Sequence, residues 1–167
     1  MGQIQPGWQG RYFEDFTVGD IYRSRLGRTI TETDNIQFTM ITNNTNQIHF
    51  NTHYAARTEF KRPLVNSALT LSVVAGLAVI DVSEHGFALG WDGITLPNPV
   101  YPGDTIYAET EVLEIRESKS RPTQGVVKVR TRGINQDGKV VIDYARSVMV
   151  WKKAHAPQSQ LFPEVKA

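Results

Sequence analysis

The chain has 167 residues, no cysteine, and 18 Lys and Arg against 17 Asp and Glu, for a formal charge of +1. With no basic run longer than two residues, this balance argues against nucleic acid or an anionic membrane as a partner. The lack of cysteine removes disulfides, thiolate zinc sites and a cysteine nucleophile, and fits a cytoplasmic setting. A chain this long fits one domain, residues 1–167, burying about two thirds of its unfolded surface.

Residues 1–10 are polar and glycine-containing, with neither the charged nor the apolar part of a leader, and are expected to be loose. In Arg11–Phe16 the rings of Tyr12, Phe13 and Phe16 need cover, which predicts a short extended or turn segment packed on a sheet. Val18-Gly19-Asp20 is a turn signal, and Ile21–Ile30 alternates as a first strand. Thr31 is placed to cap a helix, with Glu32 and Asp34 in its first turn, and Asn35–Thr42 would continue it.

After a loop around His49, Tyr54–Phe60 suits a short helix or turn that ends at Lys61-Arg62-Pro63. Asn66–Val82 is predicted to be the central helix. Its β-branched residues would also permit a strand, but its length and the Asn66 cap favour a helix. A helix that is apolar all round belongs in a core. Its most apolar part, Ala68–Ile80, is too short to cross a bilayer.

Beyond Ser83–Gly86, Phe87–Leu96 reads as a strand in which Gly90 and Gly93 suggest a bulge. Three strands with clearer alternation follow, at 105–114, 125–134 and 139–151, the last two joined by a hairpin turn at Gln136-Asp137-Gly138. Ser118–Thr123 forms a loop. Residues 155–167 are expected to be loosely held or packed on a partner subunit.

The stretch Thr42–Ser72 carries the chemistry. It sets one histidine, His49, among five amides, Asn43, Asn44, Asn46, Gln47 and Asn51. Amide side chains compete with helix bonding and favour turns and caps, so their density calls for a reason. One is a wet pocket in which an imidazole exchanges protons near neutral pH; the other is an ordinary surface loop. Arg57, Lys61 and Arg62 form a cationic cluster suited to phosphate, or a solvated helix face. Ser72 either faces a pocket or bonds back to its own helix.

His49 and His53 stand four apart, but no third ligand follows at a recognisable spacing, so no metal is expected. No Gly-x-Ser-x-Gly elbow or dinucleotide fingerprint is present.

The order of residues resembles the hydratase motif of the MaoC-like dehydratases, the family that includes the (R)-specific enoyl-CoA hydratases. Thr42, Asn43 and Asn44 stand at its small-Gly-Asp positions, and Asn46, Gln47 and His49 at Asn, Pro and His. Asn51, Ala55, Phe60 and Pro63-Leu64 follow at the same spacing, and Asn66-Ser67 stands where His-Gly opens the helix, with no gap over 31 residues. Gly10–Phe16, Val18-Gly19-Asp20, Pro99–Asp104 and Ser120-Arg121-Pro122 extend the likeness.

The resemblance implies an α+β hotdog fold, an antiparallel sheet wrapped around the central helix, in a homodimer or higher homo-oligomer. It implies a hydro-lyase that adds water reversibly to an α,β-unsaturated short-chain acyl-CoA, with no cofactor beyond the coenzyme A of the substrate. His49 would be the general acid and base. Asn44 stands for the family's aspartate; a carboxamide only donates and accepts hydrogen bonds, so it would orient water or substrate. The Ser67 backbone N–H would hold the thioester oxygen at the helix start, and Asn51 would support the site.

Asn46, Asn66 and Ser72 would meet the acyl group, and Arg57, Lys61, Arg62 and Arg121 the coenzyme. The amide-rich pocket and altered helix start favour a branched dicarboxylic acyl group of mesaconyl, itaconyl or methylmalyl type. A thioesterase on the same fold is a second reading. A non-catalytic acyl-CoA-binding or regulatory protein, kept open by Asn44, is a third.

Overall fold

The computed structural model describes residues 3, 5, 7–157, 162 and 163. The ends expected to be loose, 1–10 and 155–167, therefore lie partly outside the described residues.

Three long strands form the sheet: β4 (Thr105–Glu117), β5 (Gln124–Asn135) and β6 (Val140–Trp151) run antiparallel as a meander. β3 (Gly86–Thr95) closes one side on β6, and the short β1 (Ile21–Arg23) and β2 (Arg28–Thr29) lie on the other side of β4. All pairings are antiparallel, in the order β1-β4-β5-β6-β3. The tight β5–β6 turn turns on Gly138, whose φ of +75° is one that L side chains rarely adopt.

Alternation along β4 to β6 sends every second residue inward, and the helical layer covers that face. The helix is capped by Asn66, whose Oδ1 accepts the Ala68 N–H at 3.0 Å, and runs as α3 (Ser67–Leu77) and then α4 (Val79–Val82). The predicted single helix is thus loosened at Ala78, although Ala78 N–H still bonds Val74 O and Val82 N–H still bonds Ala78 O. Val74, Leu69, Ala78 and Val65 pack with Ile106, Ala108, Ile142 and Tyr144 in one core cluster. Val82, Phe13 and Phe16 join Val112, Val127, Val129, Val148 and Val150 in a second. The aromatics of 11–16 find the cover they need: Phe13 lies so close over Gly125 that a Cβ there would enter its ring.

Two other boundaries differ from expectation. The strand predicted over Ile21–Ile30 splits into β1 and β2, because the Tyr107 ring sits where a Cβ at Gly27 would be, 2.5 Å away, and the chain bends around it. Of the short helix or turn expected over Tyr54–Phe60, the helical part is α2 (Thr52–Ala55), which starts earlier because Asn51 Oδ1 caps it through the Tyr54 N–H at 3.0 Å, and turns follow it to Phe60.

Candidate active site

Helix α1 (Glu32–Ile41) starts at a full capping box: Thr31 Oγ1 accepts the Asp34 N–H, and the Asp34 carboxylate accepts the Thr31 N–H. The inward side of α1 carries two buried polar residues, with the partly buried Phe38 packed against the core. Asn35 and Thr39 are its buried residues, while Ile36, Met40 and Ile41 are exposed.

Asn35 is 1% exposed and uses its whole carboxamide. Nδ2 donates to the carbonyls of His49 at 2.8 Å and Leu64 at 2.9 Å, and Oδ1 accepts the N–H of Asn66 at 2.8 Å. One side chain thus ties the histidine loop, the segment leading into the central helix and the start of that helix.

His49 closes a one-turn 3-10 segment, Gln47–His49, capped by Asn46 Oδ1 on the Ile48 N–H at 3.2 Å. Its ring points inward, 9% exposed, with Nδ1 3.1 Å from the carbonyl oxygen of Leu64. A carbonyl only accepts, so Nδ1 carries the proton and Nε2 is the basic nitrogen. The imidazole is oriented for proton exchange through Nε2.

At the C-terminus of α1, Asn43 takes a left-handed φ of +52°, and the Asn44 N–H bonds Thr39 O at 3.0 Å. Asn44 Oδ1 accepts the Asn46 N–H at 2.9 Å, which leaves Nδ2 without a partner among the described residues. Asn44 lines a cleft of about 350 Å³ with Thr39, Met40 and Phe50. A second cleft, of about 320 Å³, lies along the helix start, walled by Phe60, Leu64, Ser67, Thr70 and Pro97–Val100.

At that helix start the Asn66 N–H is taken by Asn35 and the Ala68 N–H by Asn66. Ser67 N–H and Leu69 N–H have no acceptor among the described residues; Ser67 N–H is the first of these two donors, at the positive end of an 11-residue helix.

The remaining predicted residues divide. Asn51 caps α2 and donates to Gln47 Oε1 at 2.6 Å, a supporting role. Asn46 and Asn66 are caps within the site, and Asn66 also points Nδ2 at Thr39 Oγ1, 3.5 Å away. Arg57, Lys61 and Arg62 stand exposed in the segment that leads to Leu64, with Arg62 stacked 3.7 Å over the Tyr101 ring.

Two residues are not brought together with His49. Ser72 is exposed and spends its hydroxyl on Ala68 O at 2.8 Å, because a serine inside a helix satisfies itself on the preceding turn. Arg121 lies in the β4–β5 turn, whereas the histidine loop meets the sheet near the start of β4, where Val65 N–H bonds Val100 O. The length of β4 separates them within one chain.

Sequence reasoning missed Asn35, Thr39 and the Leu64 carbonyl. Asn35 left one sign, a poor helix former just inside a helix whose first turn was already capped. Among the described residues no group of three or more His, Asp or Glu could hold a metal ion, and no helix is long and apolar enough to cross a membrane.

A family model described as mesaconyl-CoA hydratase matches residues 4–159. The chain is 36% identical over 154 residues to the β-methylmalyl-CoA dehydratase of Chloroflexus aurantiacus, covering 90% of this chain and 44% of that protein. It spans less than half the length of that curated relative. The crystal structure of a putative MaoC domain protein dehydratase from the same organism superposes with a TM-score of 0.85 at 32% identity, covering 98% of this chain and 47% of that one. A Mycobacterium tuberculosis protein described as a double hotdog gives a TM-score of 0.78 at 22% identity, over 93% of this chain and 47% of that one. The fold is a hotdog.

Proposed function

We propose, because this chain belongs to the mesaconyl-CoA hydratase family, that it is a hydro-lyase adding water reversibly to an α,β-unsaturated short-chain acyl-CoA of branched dicarboxylic type. The observation that carries this reading is the single carboxamide of Asn35, which holds the His49 main chain and the start of α3 together. A base and an oxygen-binding N–H are thereby kept in fixed relation, as addition to a conjugated thioester requires.

In this reading the thioester oxygen accepts from Ser67 N–H, and His49 Nε2 removes a proton from water as its oxygen bonds to Cβ. Negative charge moves to the thioester oxygen, where the helix N-terminus stabilises it. The imidazolium then returns the proton to Cα. Nδ1, held by Leu64 O, keeps the ring in place through both transfers. Asn44 cannot share the proton, so its free Nδ2 orients water or the acyl group. Arg57, Lys61 and Arg62 suit the coenzyme phosphates, and no further cofactor is required.

We read the assembly as a homodimer in the cytoplasm. Phe87, Leu89, Trp91 and Ile94 on β3, and Leu96 just beyond it, are exposed, and among the described residues β3 pairs only with β6, so this is a side that a second copy would cover. The curated relative's doubled length suits two such units side by side. Arg121 would then reach the coenzyme of the neighbouring copy.

The test is a panel of enoyl- and dicarboxylyl-CoA esters, followed by loss of the conjugated thioester absorbance. His49→Ala is expected to lower the rate about 10² to 10⁴-fold, the usual worth of a proton-transferring side chain. A change within a few-fold would refute the role of His49. Because Asn44 replaces the family carboxylate, a second reading is a binding protein without turnover; tight acyl-CoA binding with no hydration would establish it.

A further inference from the structure

Between the two core clusters, the inward face of β6 carries a charge that nothing in the described chain neutralises. Ile142, Tyr144, Arg146, Val148 and Val150 alternate on that face, and the first two and last two fill the clusters on either side. Arg146 is 3% exposed and Tyr144 1%. Neither Nε nor Nη2 of Arg146, nor the Tyr144 hydroxyl, has a hydrogen-bond partner among the described residues. None of the described ion pairs includes Arg146. The neighbouring buried hydroxyls, Thr110 and Thr131, satisfy each other at 3.0 Å, and the other unpaired buried side-chain atom among the described residues, Gln124 Nε2, lies apart, opposite Trp151 at the start of β5.

A guanidinium has donors only and keeps its charge even where burial works against it, so leaving it dry and unpaired is costly. The orphaned atoms also indicate what is missing. Nε and Nη2 form the edge of the guanidinium that grips a carboxylate with two parallel bonds. Arg130, on the adjacent strand, uses these same two atoms on Asp143 Oδ1 and Oδ2, at 2.9 and 2.5 Å. At Arg146 the edge is set out and the carboxylate is absent, with a phenol beside it able to donate a further bond.

The helix above presents small side chains here: Ala75 and Ala78 are small, and the α3–α4 junction bridges the seam, since Ala78 belongs to one cluster and Val82 to the other. Tyr144 shares its cluster with Val65 and Leu69 from the start of α3, where Ser67 N–H is unengaged. Arg146 lies one pleat beyond Tyr144.

We propose that Arg146, assisted by Tyr144, receives the second carboxylate of a dicarboxylic acyl group and so selects a dicarboxylyl thioester over a plain enoyl thioester. This rests on the hydratase reading and names the feature of the substrate that the site selects. A plain enoyl group would bring a methyl end to an unpaired guanidinium, and a site built for a polar partner rejects the analogue that lacks it.

The experiment compares kcat/KM on mesaconyl-CoA and on crotonyl-CoA for the wild type, Arg146→Met, Arg146→Lys and Tyr144→Phe. The wild type should prefer the dicarboxylyl ester. Arg146→Met should lose about 10²-fold or more on it while crotonyl-CoA turnover stays level or improves. Arg146→Lys, which keeps the charge but not the two-pronged edge, and Tyr144→Phe should each lose part of the preference. Should Arg146→Met fail to fold, these two variants decide.

Equal use of both esters by the wild type, or parallel losses on both in every variant, would overturn the proposal. So would an altered oligomeric state with unchanged selectivity, which assigns the guanidinium to a contact between copies. If the wild type hydrates neither ester, the hydratase reading falls, and thermal melts with free mesaconate against butyrate decide the receptor alone. A rise with mesaconate that Arg146→Met abolishes supports it, and no rise overturns it.

Discussion

Replacing Asn35 is the sharpest test of how the site is held. Asn35→Ala strands two main-chain groups, the carbonyl of His49 and the N–H of Asn66, at a position 1% exposed, and leaves the Leu64 carbonyl with only the His49 Nδ1–H. Each buried polar group left without a partner costs about 1 to 3 kcal/mol. The two together set a ceiling of about 6 kcal/mol, and a water entering the vacated space recovers part of it. The expected loss is about 2 to 5 kcal/mol, read as a lower denaturation midpoint at unchanged slope.

Asn35→Asp separates the clamp from simple loss of volume. It keeps the acceptor for Asn66 N–H but turns oxygen towards the two carbonyl oxygens, so the carboxyl should stay protonated and its pKa should rise in the folded state. A raised pKa contributes stability fully present below the unfolded value and lost as pH rises through the folded one. Asn35→Asp should therefore weaken between mildly acidic and neutral pH, where the wild type does not. A loss below about 1 kcal/mol for Asn35→Ala, or a flat pH response for Asn35→Asp, would refute the clamp.

Further outcomes follow from the same geometry. Ser67→Pro removes only the unengaged N–H at a helix position proline tolerates, after an Asn66 already at φ −58°, ψ 130°. It should fold while hydration falls about 10² to 10³-fold, and Ser67→Ala should retain activity; equal rates for the two would exclude an oxygen-holding role. Gly125→Ala drives a methyl into the Phe13 ring and should cost about 1 to 3 kcal/mol in thermal or denaturant unfolding. The Glu109 carboxyl is held below its usual range by hydrogen bonds from Arg23 and Arg132. Its contribution is therefore complete above the ordinary carboxylate range and is lost as pH falls through the lowered value. Glu109→Gln should show a shallower acid-side decline in stability than the wild type.

The strands were legible because period-two alternation is a local signal: β4, β5 and β6 begin and end within a few residues of expectation. The Asn66 and Thr31 caps were legible for the same reason, each being a side chain acting on its own next turn. Helix α1 was harder, since the structure turns the polar Asn35 and Thr39 inward and leaves Ile36, Met40 and Ile41 exposed. Polar burial of that kind depends on partners 14 and 31 residues away, which no periodicity encodes. The unpaired Arg146 was invisible for a related reason: one arginine in a strand is unremarkable until both neighbouring strands have covered it.

Apart from Asn35 and the Asn46 cap, the atoms that set the bearing of His49 belong to the peptide backbone: Leu64 O under the ring and the carbonyl and amide gripped by the clamp. A carbonyl cannot be substituted away. Leu64 itself can therefore drift in identity, and the lining of the cleft can be remodelled for new acyl shapes, while the imidazole keeps its heading. Such a scaffold lends itself to diversification by ordinary point changes, with two asparagines, Asn35 and Asn46, as the positions where drift is not free.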